Sequence, residues 1–184
     1  MSSAPAASAG ALVLADADAS LLAAREEAAQ VGKSLGVMPF TASAATRDRL
    51  LAHPSLHVLH LATHAGIDAD GAWMRLADGR WTAHDVLASK LRADVVVLAG
   101  CSSATTRQSE MWGSLAAAFL ANGSSAVIAT LGSVDDADAR SLVTRIYQHG
   151  VTDDPVRALS AAQRELARTL SPRRWAGFVA YSAE

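Results

Sequence analysis

The chain has 184 residues, with 16 basic and 18 acidic side chains and a formal net charge of −2. A charge this close to zero, without a basic stripe, excludes a nucleic-acid-binding surface, and every apolar run is shorter than the roughly 18 residues of a membrane span. Cys101 is the single cysteine, which excludes an internal disulfide and a cysteine-based zinc site and predicts a reduced, cytoplasmic setting.

Composition also predicts how the chain is organised. Residues 1–10, MSSAPAASAG, are small and predict a flexible N-terminal leader, because they lack the basic region and apolar block of a signal peptide. Residues 11–184 show no internal boundary and are long enough for one domain with a sizeable core. Only two of the 16 basic residues are lysines, and this arginine bias, with abundant alanine, indicates a bacterial source.

Strand patterns and helix patterns alternate along residues 11–184. Apolar runs bounded by turn residues predict buried strands, and apolar positions at helical spacing predict helices. The alternation predicts an α/β fold with a six-stranded, mostly parallel sheet and helices on both faces. The pattern predicts strands at 11–16, 37–41, 56–64, 95–99, 125–131 and 175–182 and helices at 20–35, 43–52, 82–90, 111–120, 137–148 and 155–169.

Local signals mark several of the element ends. Asp18 or Ser20 is expected to cap the first helix. The segment Thr82–Asp85 is typical of a capping box. Asp78-Gly79 lies between apolar residues and predicts a hairpin over residues 73–81. We expect this hairpin to flank any cleft near His64, because it follows that residue closely in the chain.

Two of the predicted buried strands lead directly into a reactive side chain. The run Val95–Ala99 is followed by Gly100 and Cys101, and the run LHVLHLATH ends in His64. Chemistry in open α/β sheets collects beyond the carboxyl ends of the strands. Neighbouring strands would therefore bring thiol and imidazole together. The residues leave open the alternative that Cys101 is a small buried hydrophobe and His64 a core histidine.

A thiol and an imidazole at one sheet edge have the chemistry of a cysteine peptidase. The imidazole lowers the pKa of the thiol and later protonates the leaving amine. Two backbone N–H groups would stabilise the oxyanion of the tetrahedral intermediate. The candidates are the amide of Cys101 and one amide from Ala65 or Gly66. A metal site at His57, His60 and His64 is disfavoured, because the strand offers no nearby carboxylate.

Several segments resemble a CHAT domain. They are HLATHAG, RLADGRWTAHDV, ADVVVLAGCSSA, SLAAAFLANGSSAVIATLGSVDDADA and RRWAGFV, and the resemblance covers Ala11 to Ala180. CHAT domains belong to the caspase-like cysteine peptidases, with separases, legumains and gingipains as relatives. The resemblance implies a caspase-like three-layer sandwich, a dyad of His64 and Cys101 that needs no third member, and no cofactor or metal.

The resemblance also implies a substrate preference. In separases and gingipains an acid in the pocket selects arginine before the scissile bond. Asp135 and Asp136 follow the strand predicted at 125–131, and Asp16 and Asp18 lie at the end of the strand predicted at 11–16. All four are therefore candidate substrate-binding residues at the same sheet edge. Helix capping is the alternative role for Asp135 or Asp136.

These expectations combine into one predicted function with an alternative. The chain is predicted to be a cysteine endopeptidase that cleaves a protein after a basic residue, with arginine favoured. The alternative is a catalytically weak caspase-like module that binds a peptide under the control of a partner. Family members usually carry a regulatory region, so a regulatory protein partner is expected, or else a lone effector or an excised domain. Residues 105–110 are a candidate mobile or cleavable segment.

Overall fold

A computed structural model describes residues 10–100, 114–132 and 134–183 of the chain. Cys101 and the segment 105–110, for which the sequence makes specific predictions, lie outside the described residues. The same holds for nearly all of the predicted leader. None of the helices in the described ranges is long and apolar enough to cross a membrane.

Nine strands form two sheets in the described part of the chain. In chain order they are β1 (Ala11–Ala15), β2 (Phe40–Thr41), β3 (Ser55–Ala62), β4 (Ala65–Asp68), β5 (Gly71–Leu76), β6 (Gly79–Thr82), β7 (Arg92–Leu98), β8 (Ala126–Thr130) and β9 (Phe178–Ser182). The central sheet has the order β2-β1-β3-β7-β8-β9, and β4, β5 and β6 form a small antiparallel sheet. All neighbours in the central sheet are parallel except β8 and β9, which confirms the predicted six-stranded, mostly parallel sheet.

Helices cover both faces of the central sheet, as predicted. They are α1 (Leu22–Leu35), α2 (Arg47–Leu51), α3 (Ala83–Ala88), α4 (Leu115–Ala121), α5 (Asp136–Gln148) and α6 (Pro155–Leu166), with short 3-10 turns at Ala42–Ala44 and Pro172–Arg174. Helices α1, α5 and α6 share one apolar cluster with the sheet. Helices α2, α3 and α4 share the other cluster with the sheet and with β5 and β6.

The central strands are apolar on both sides because both of their faces are covered. On β7, Val95 and Val97 lie in the cluster of α1, α5 and α6, whereas Val96 and Leu98 lie in the opposite cluster. Side chains of a strand alternate between the two faces of its sheet. A strand buried on both faces therefore reads as a continuous apolar run rather than as an alternation of apolar and polar residues.

Two local predictions are confirmed and one is wrong. The Asp78-Gly79 hairpin forms between β5 and β6, and Thr82 and Asp85 make the reciprocal bonds of a capping box at α3. Neither Asp18 nor Ser20 caps α1, because the helix begins two residues after Ser20 and has Leu21 as an N-cap without a side-chain bond. The short strand β4, and with it a third strand in the small sheet, was not predicted.

The strand predicted at 56–64 is shorter in the structure, and this places His60 and His64 in different environments. Strand β3 ends at Ala62 rather than at His64. His60 therefore lies within the strand and is completely buried, whereas the His64 side chain lies beyond it and is 45% exposed. The two rings therefore do not share one face of the strand.

A buried polar network links α1, β3 and α5. The His60 ring contacts Glu27 through Nε2 at 3.0 Å and the Tyr147 hydroxyl through Nδ1 at 3.2 Å. Glu27 is 3% exposed and His60 is fully buried. Burial first, and the negative charge of Glu27 second, raise the pKa of Tyr147 well above its ordinary value. The phenol therefore stays protonated in the folded protein.

Tyr147→Phe tests this network. At pH 7 the free energy of unfolding should fall by about 1–3 kcal/mol, because a buried ring nitrogen of His60 loses its partner. Because folding raises the pKa of Tyr147, the contribution of this residue to the free energy of unfolding is fully present below the tyrosine pKa of the unfolded chain, about 10. That contribution is lost as pH rises above this value. Urea unfolding at pH 7 and pH 10.5 should therefore show an alkaline loss that is smaller in Tyr147→Phe. Tyr181→Phe, at an exposed tyrosine, is the matched control and should retain the full alkaline loss.

Candidate active site

The carboxyl ends of four adjacent parallel strands meet at one edge of the central sheet. These strands are β1, β3, β7 and β8, in their spatial order. Side chains and backbone connect neighbouring ends. Ser20, after β1, contacts His64, after β3, and the Thr130 hydroxyl at the end of β8 donates to the carbonyl of Gly100, after β7. The segments that follow these strands are therefore in contact at a single edge.

His64 is presented to solvent at this edge. It lies two residues beyond the end of β3 and immediately before β4. Its carbonyl accepts a hydrogen bond from the Arg75 N–H at 2.7 Å, and this bond fixes its backbone to β5. Its Nε2 atom lies 2.8 Å from the Ser20 hydroxyl and 3.8 Å from Asp18 Oδ2. A half-exposed imidazole with one ring nitrogen bound is able to transfer protons through the other.

Gly100 brings the end of β7 into close contact with the residues on either side of His64. A Cβ atom at Gly100 would lie 2.6 Å from the carbonyl oxygen of Thr63 and 2.9 Å from the Ala65 Cβ. These separations are shorter than any van der Waals contact between such atoms, so a larger residue requires the backbone to move. Cys101 itself lies outside the described residues, but the residue before it packs directly against the His64 segment.

The two candidate oxyanion amides near His64 have different surroundings. Ala65 pairs with Met74 and Gly66 with Trp73 in the antiparallel ladder of β4 and β5. Hydrogen-bonded and non-hydrogen-bonded residue pairs alternate along an antiparallel ladder. The Arg75 N–H donates to the His64 carbonyl, so the next hydrogen-bonded pair is Gly66 with Trp73. The Gly66 N–H therefore points to Trp73, and the Ala65 N–H points away from β5. A Cβ atom at Gly100 would lie 3.6 Å from the Ala65 nitrogen, so this nitrogen lies near the end of β7.

Trp73 closes the side of the site formed by β4. A Cβ atom at Gly66 would lie 2.9 Å from the Trp73 ring, so the glycine allows the indole to pack closely against the strand. The Arg80 guanidinium lies 4.2 Å from the centre of the same ring and pairs with Asp68. The predicted hairpin thus flanks the segment that follows His64.

Asp16 lies at this edge, but its carboxylate is engaged within the fold. It is completely buried, and Leu21 N–H donates to its Oδ1 atom at 2.7 Å. The Arg25 guanidinium donates to Oδ2 through Nε at 2.9 Å and Nη2 at 2.6 Å. This carboxylate stabilises the entry to α1 and presents no oxygen to solvent.

Asp18, in contrast, lies beside His64. The hydrogen bond from the Ser20 hydroxyl, with a smaller contribution from the nearby His64, holds the pKa of Asp18 below its ordinary value. Asp18 also lines an open cleft of about 560 Å³, whose other walls include Ala17, Ala42 and Asp78. This cleft borders the site on the side of β1.

The two acids after β8 are both exposed but differ in their hydrogen bonds. Asp135 is the N-cap of α5, where its Oδ1 atom accepts from the amides of Ala137 and Asp138. Asp136 is the next residue, exposed in the first turn of the helix. One of the four predicted acids therefore caps a helix, one is buried, one is beside His64, and Asp136 has an exposed carboxylate.

The three histidines considered for a metal site do not converge. His57 contacts Asp94, His60 contacts Glu27 and His64 contacts Ser20. Across the described residues, no three His, Asp or Glu side chains are grouped so that they could hold a metal ion. Each imidazole thus has a separate environment.

Comparisons with known proteins agree with this architecture. A family model described as the CHAT domain matches residues 1–183. The chain is similar to the crystal structure of the Arg-specific cysteine proteinase gingipain R, with a TM-score of 0.67, 11% identity, and coverage of 94% of this chain and 46% of that one. It is also similar to the separase of Saccharomyces cerevisiae in complex with securin, with a TM-score of 0.65 and 13% identity, covering 94% of this chain and 12% of that one.

These likenesses show the fold alone, a caspase-like one, because the sequence identities are low. The chain spans about half of the gingipain chain and about an eighth of the separase chain. No curated protein sequence is close enough to count as a match.

Gly100→Ala tests the close contact at the end of β7. The added Cβ would meet the Thr63 carbonyl and Ala65, and the resulting overpacking should cost about 1–3 kcal/mol in the free energy of unfolding. Gly132→Ala is the matched control, because a Cβ there has no neighbour within 4 Å among the described residues. Equal urea midpoints for the two variants would contradict the close approach.

Proposed function

We propose that this chain, which belongs to the CHAT domain family, is a cysteine endopeptidase with His64 and Cys101 as its catalytic pair. It would cleave a protein substrate after a basic residue, with arginine favoured. The fold is that of caspase-like cysteine peptidases. The observation that carries the proposal is the packing of Gly100 against Thr63 and Ala65, because it brings the residue before Cys101 against the segment that holds His64.

The proposed reaction proceeds through an acyl-enzyme. The Cys101 thiol gives its proton to His64, and the thiolate attacks the scissile carbonyl carbon, so that a C–S bond forms and the carbonyl oxygen becomes an oxyanion. The C–N bond then breaks, and the His64 imidazolium protonates the leaving amine. Water, deprotonated by His64, hydrolyses the thioester and releases the acid and the free thiol.

The oxyanion would be held by the Cys101 amide and by one amide that follows His64. Ladder pairing supports Ala65 over Gly66 for this second donor, because the Gly66 N–H is directed to Trp73 whereas the Ala65 N–H is directed away from β5. Such donors act best when they are fixed before the reaction begins. Strand β4 provides that rigidity to Ala65.

Asp136 is the best supported of the proposed arginine-binding acids. It has an exposed carboxylate at the same sheet edge as His64, whereas Asp135 is used as a helix cap and Asp16 is buried. Gingipain R, one of the structural neighbours, is specific for arginine, which is consistent with an acid at this edge. Asp18 borders the cleft and remains a proposed contributor.

A protein substrate and a regulatory protein partner are part of the proposal. The separase neighbour is in complex with securin, which is consistent with a bound partner for a chain of this fold. The cytoplasmic location remains a prediction.

Turnover of arginyl fluorogenic peptides tests the catalytic pair. The unsubstituted protein should release the fluorophore, and Cys101→Ala and His64→Ala should each lower kcat/KM by about 1,000-fold or more, because the nucleophile or its base is lost. His53→Ala, at an exposed histidine after α2, is the matched control and should keep full activity. If the unsubstituted protein and Cys101→Ala turn over equally while both bind the peptide, the chain is a binding module instead.

Asp136→Asn tests the arginine preference. The ratio of kcat/KM for an arginyl peptide to that for its neutral citrulline analogue should fall by about tenfold or more, because the charge-assisted pairing with the guanidinium is lost. Asp48→Asn is the matched control, since Asp48 is also an exposed acid in the first turn of a helix. An unchanged ratio in Asp136→Asn would refute its role while leaving the peptidase activity in place.

A further inference from the structure

Ser20 links an acid to the His64 ring, although it lies 44 residues away in the sequence. Its hydroxyl oxygen is 2.8 Å from His64 Nε2 and 2.6 Å from Asp18 Oδ1. The Ser20 N–H also points to Asp18 Oδ1, at 3.3 Å. The second oxygen of Asp18 lies 3.8 Å from the same ring nitrogen. Acid, hydroxyl and imidazole thus form a continuous chain.

The direction of these hydrogen bonds follows from the donors available. A carboxylate can only accept, so the Ser20 hydroxyl donates its single hydrogen to Asp18. The Ser20 oxygen is then left as an acceptor for His64 Nε2–H. This order assigns the proton of the neutral imidazole to Nε2 and leaves Nδ1 with a free lone pair.

Helix capping does not explain these contacts. Neither Asp18 nor Ser20 bonds to the first turn of α1, and the N–H of its N-cap residue, Leu21, donates to Asp16. The turn between Asp16 and Ser20 contains Ala19 with φ of +61°, a left-handed conformation that alanine rarely adopts. The Ala19 N–H bonds to the Asp16 carbonyl, and the resulting tight turn directs Ser20 back towards β3.

We propose that Ser20 is a positioning residue for His64, and that Asp18 acts on the ring through it. The inference rests on the proposed function, in which His64 is the catalytic base. With Nε2–H held by Ser20, Nδ1 is the atom that takes the thiol proton: the S–H bond of Cys101 breaks and an Nδ1–H bond forms. The same proton passes to the leaving amine when the C–N bond breaks. Ser20 keeps the ring in one orientation and one tautomer throughout.

Kinetics of four variants measure this role. Ser20→Ala should lower kcat for an arginyl peptide by about tenfold, the value of one hydrogen bond to a charged group, with KM unchanged. Ser20→Thr keeps the hydroxyl and should restore most of the loss, and Asp18→Asn should lower kcat in the same way. Ser34→Ala is the matched control, because this exposed serine on α1 bonds to the carbonyl of Gln30 and should leave kcat unchanged.

The protonation of the His64 ring gives a readout that needs no activity. Long-range proton–nitrogen NMR at pH 8.5 should show the His64 ring carrying its proton at Nε2, with its signals identified by their absence in His64→Asn. In Ser20→Ala a population protonated at Nδ1 should appear, and Ser20→Thr should remove it. Circular dichroism shows whether each variant is folded. If Ser20→Ala is unfolded, kcat and the His64 tautomer in Ser20→Thr and Asp18→Asn test the proposal instead.

The outcomes separate the two proposals. If peptides are cleaved but Ser20→Ala has unchanged kcat and an unchanged tautomer, the positioning role is overturned and the peptidase proposal stands. If nothing is cleaved but Ser20→Ala alters the tautomer, Ser20 does control the His64 ring and the peptidase proposal fails. Loss of kcat together with a changed tautomer and recovery in Ser20→Thr supports both.

Discussion

The parallel pairing of β3 with β7 is the constraint on which the site depends. Their register places Leu61 opposite Leu98, and the ladder continues to the hydrogen bond from the Ala99 N–H to the Leu61 carbonyl. Beyond that bond only a glycine fits, because a Cβ at Gly100 would overlap the Thr63 carbonyl. A slip of one residue would move every side chain of β7 to the opposite face. The two apolar layers therefore hold the ends of β3 and β7 in place.

Two histidines four residues apart show how the fold assigns roles to one residue type. His60 lies within β3 and is buried against Glu27 and Tyr147, where it links two helices. His64 lies beyond the strand end, where the sheet no longer covers it and Ser20 is its partner. The imidazole chemistry is the same in both, so exposure and partners decide which one can exchange protons with a substrate.

The small sheet contributes to the site as well as to the core. Its strands β5 and β6 bury Met74 and Trp81 against α3 and α4, and its edge strand β4 begins directly after His64. Anchoring β4 to β5 orients the Ala65 amide and lets Trp73 cover Gly66. One structural unit thus stabilises a layer of the fold and fixes the backbone next to the proposed base.

Much of this architecture was predictable from the sequence because its signals are local. Apolar runs such as Val95–Ala99, the capping box at Thr82 and the Asp78-Gly79 hairpin depend on residues a few positions apart, and they determined the strands, the helices and the parallel sheet. The cap at Asp135 is local in the same way, and helix capping was one of its two predicted roles. The partners of Asp16 and His64 were not predictable in this way. Asp16 pairs with Arg25 inside the fold, and Ser20 reaches His64 only because β1 lies beside β3. Contacts between residues so distant in the chain depend on how the strand ends pack together, and that was decided by the tertiary structure alone.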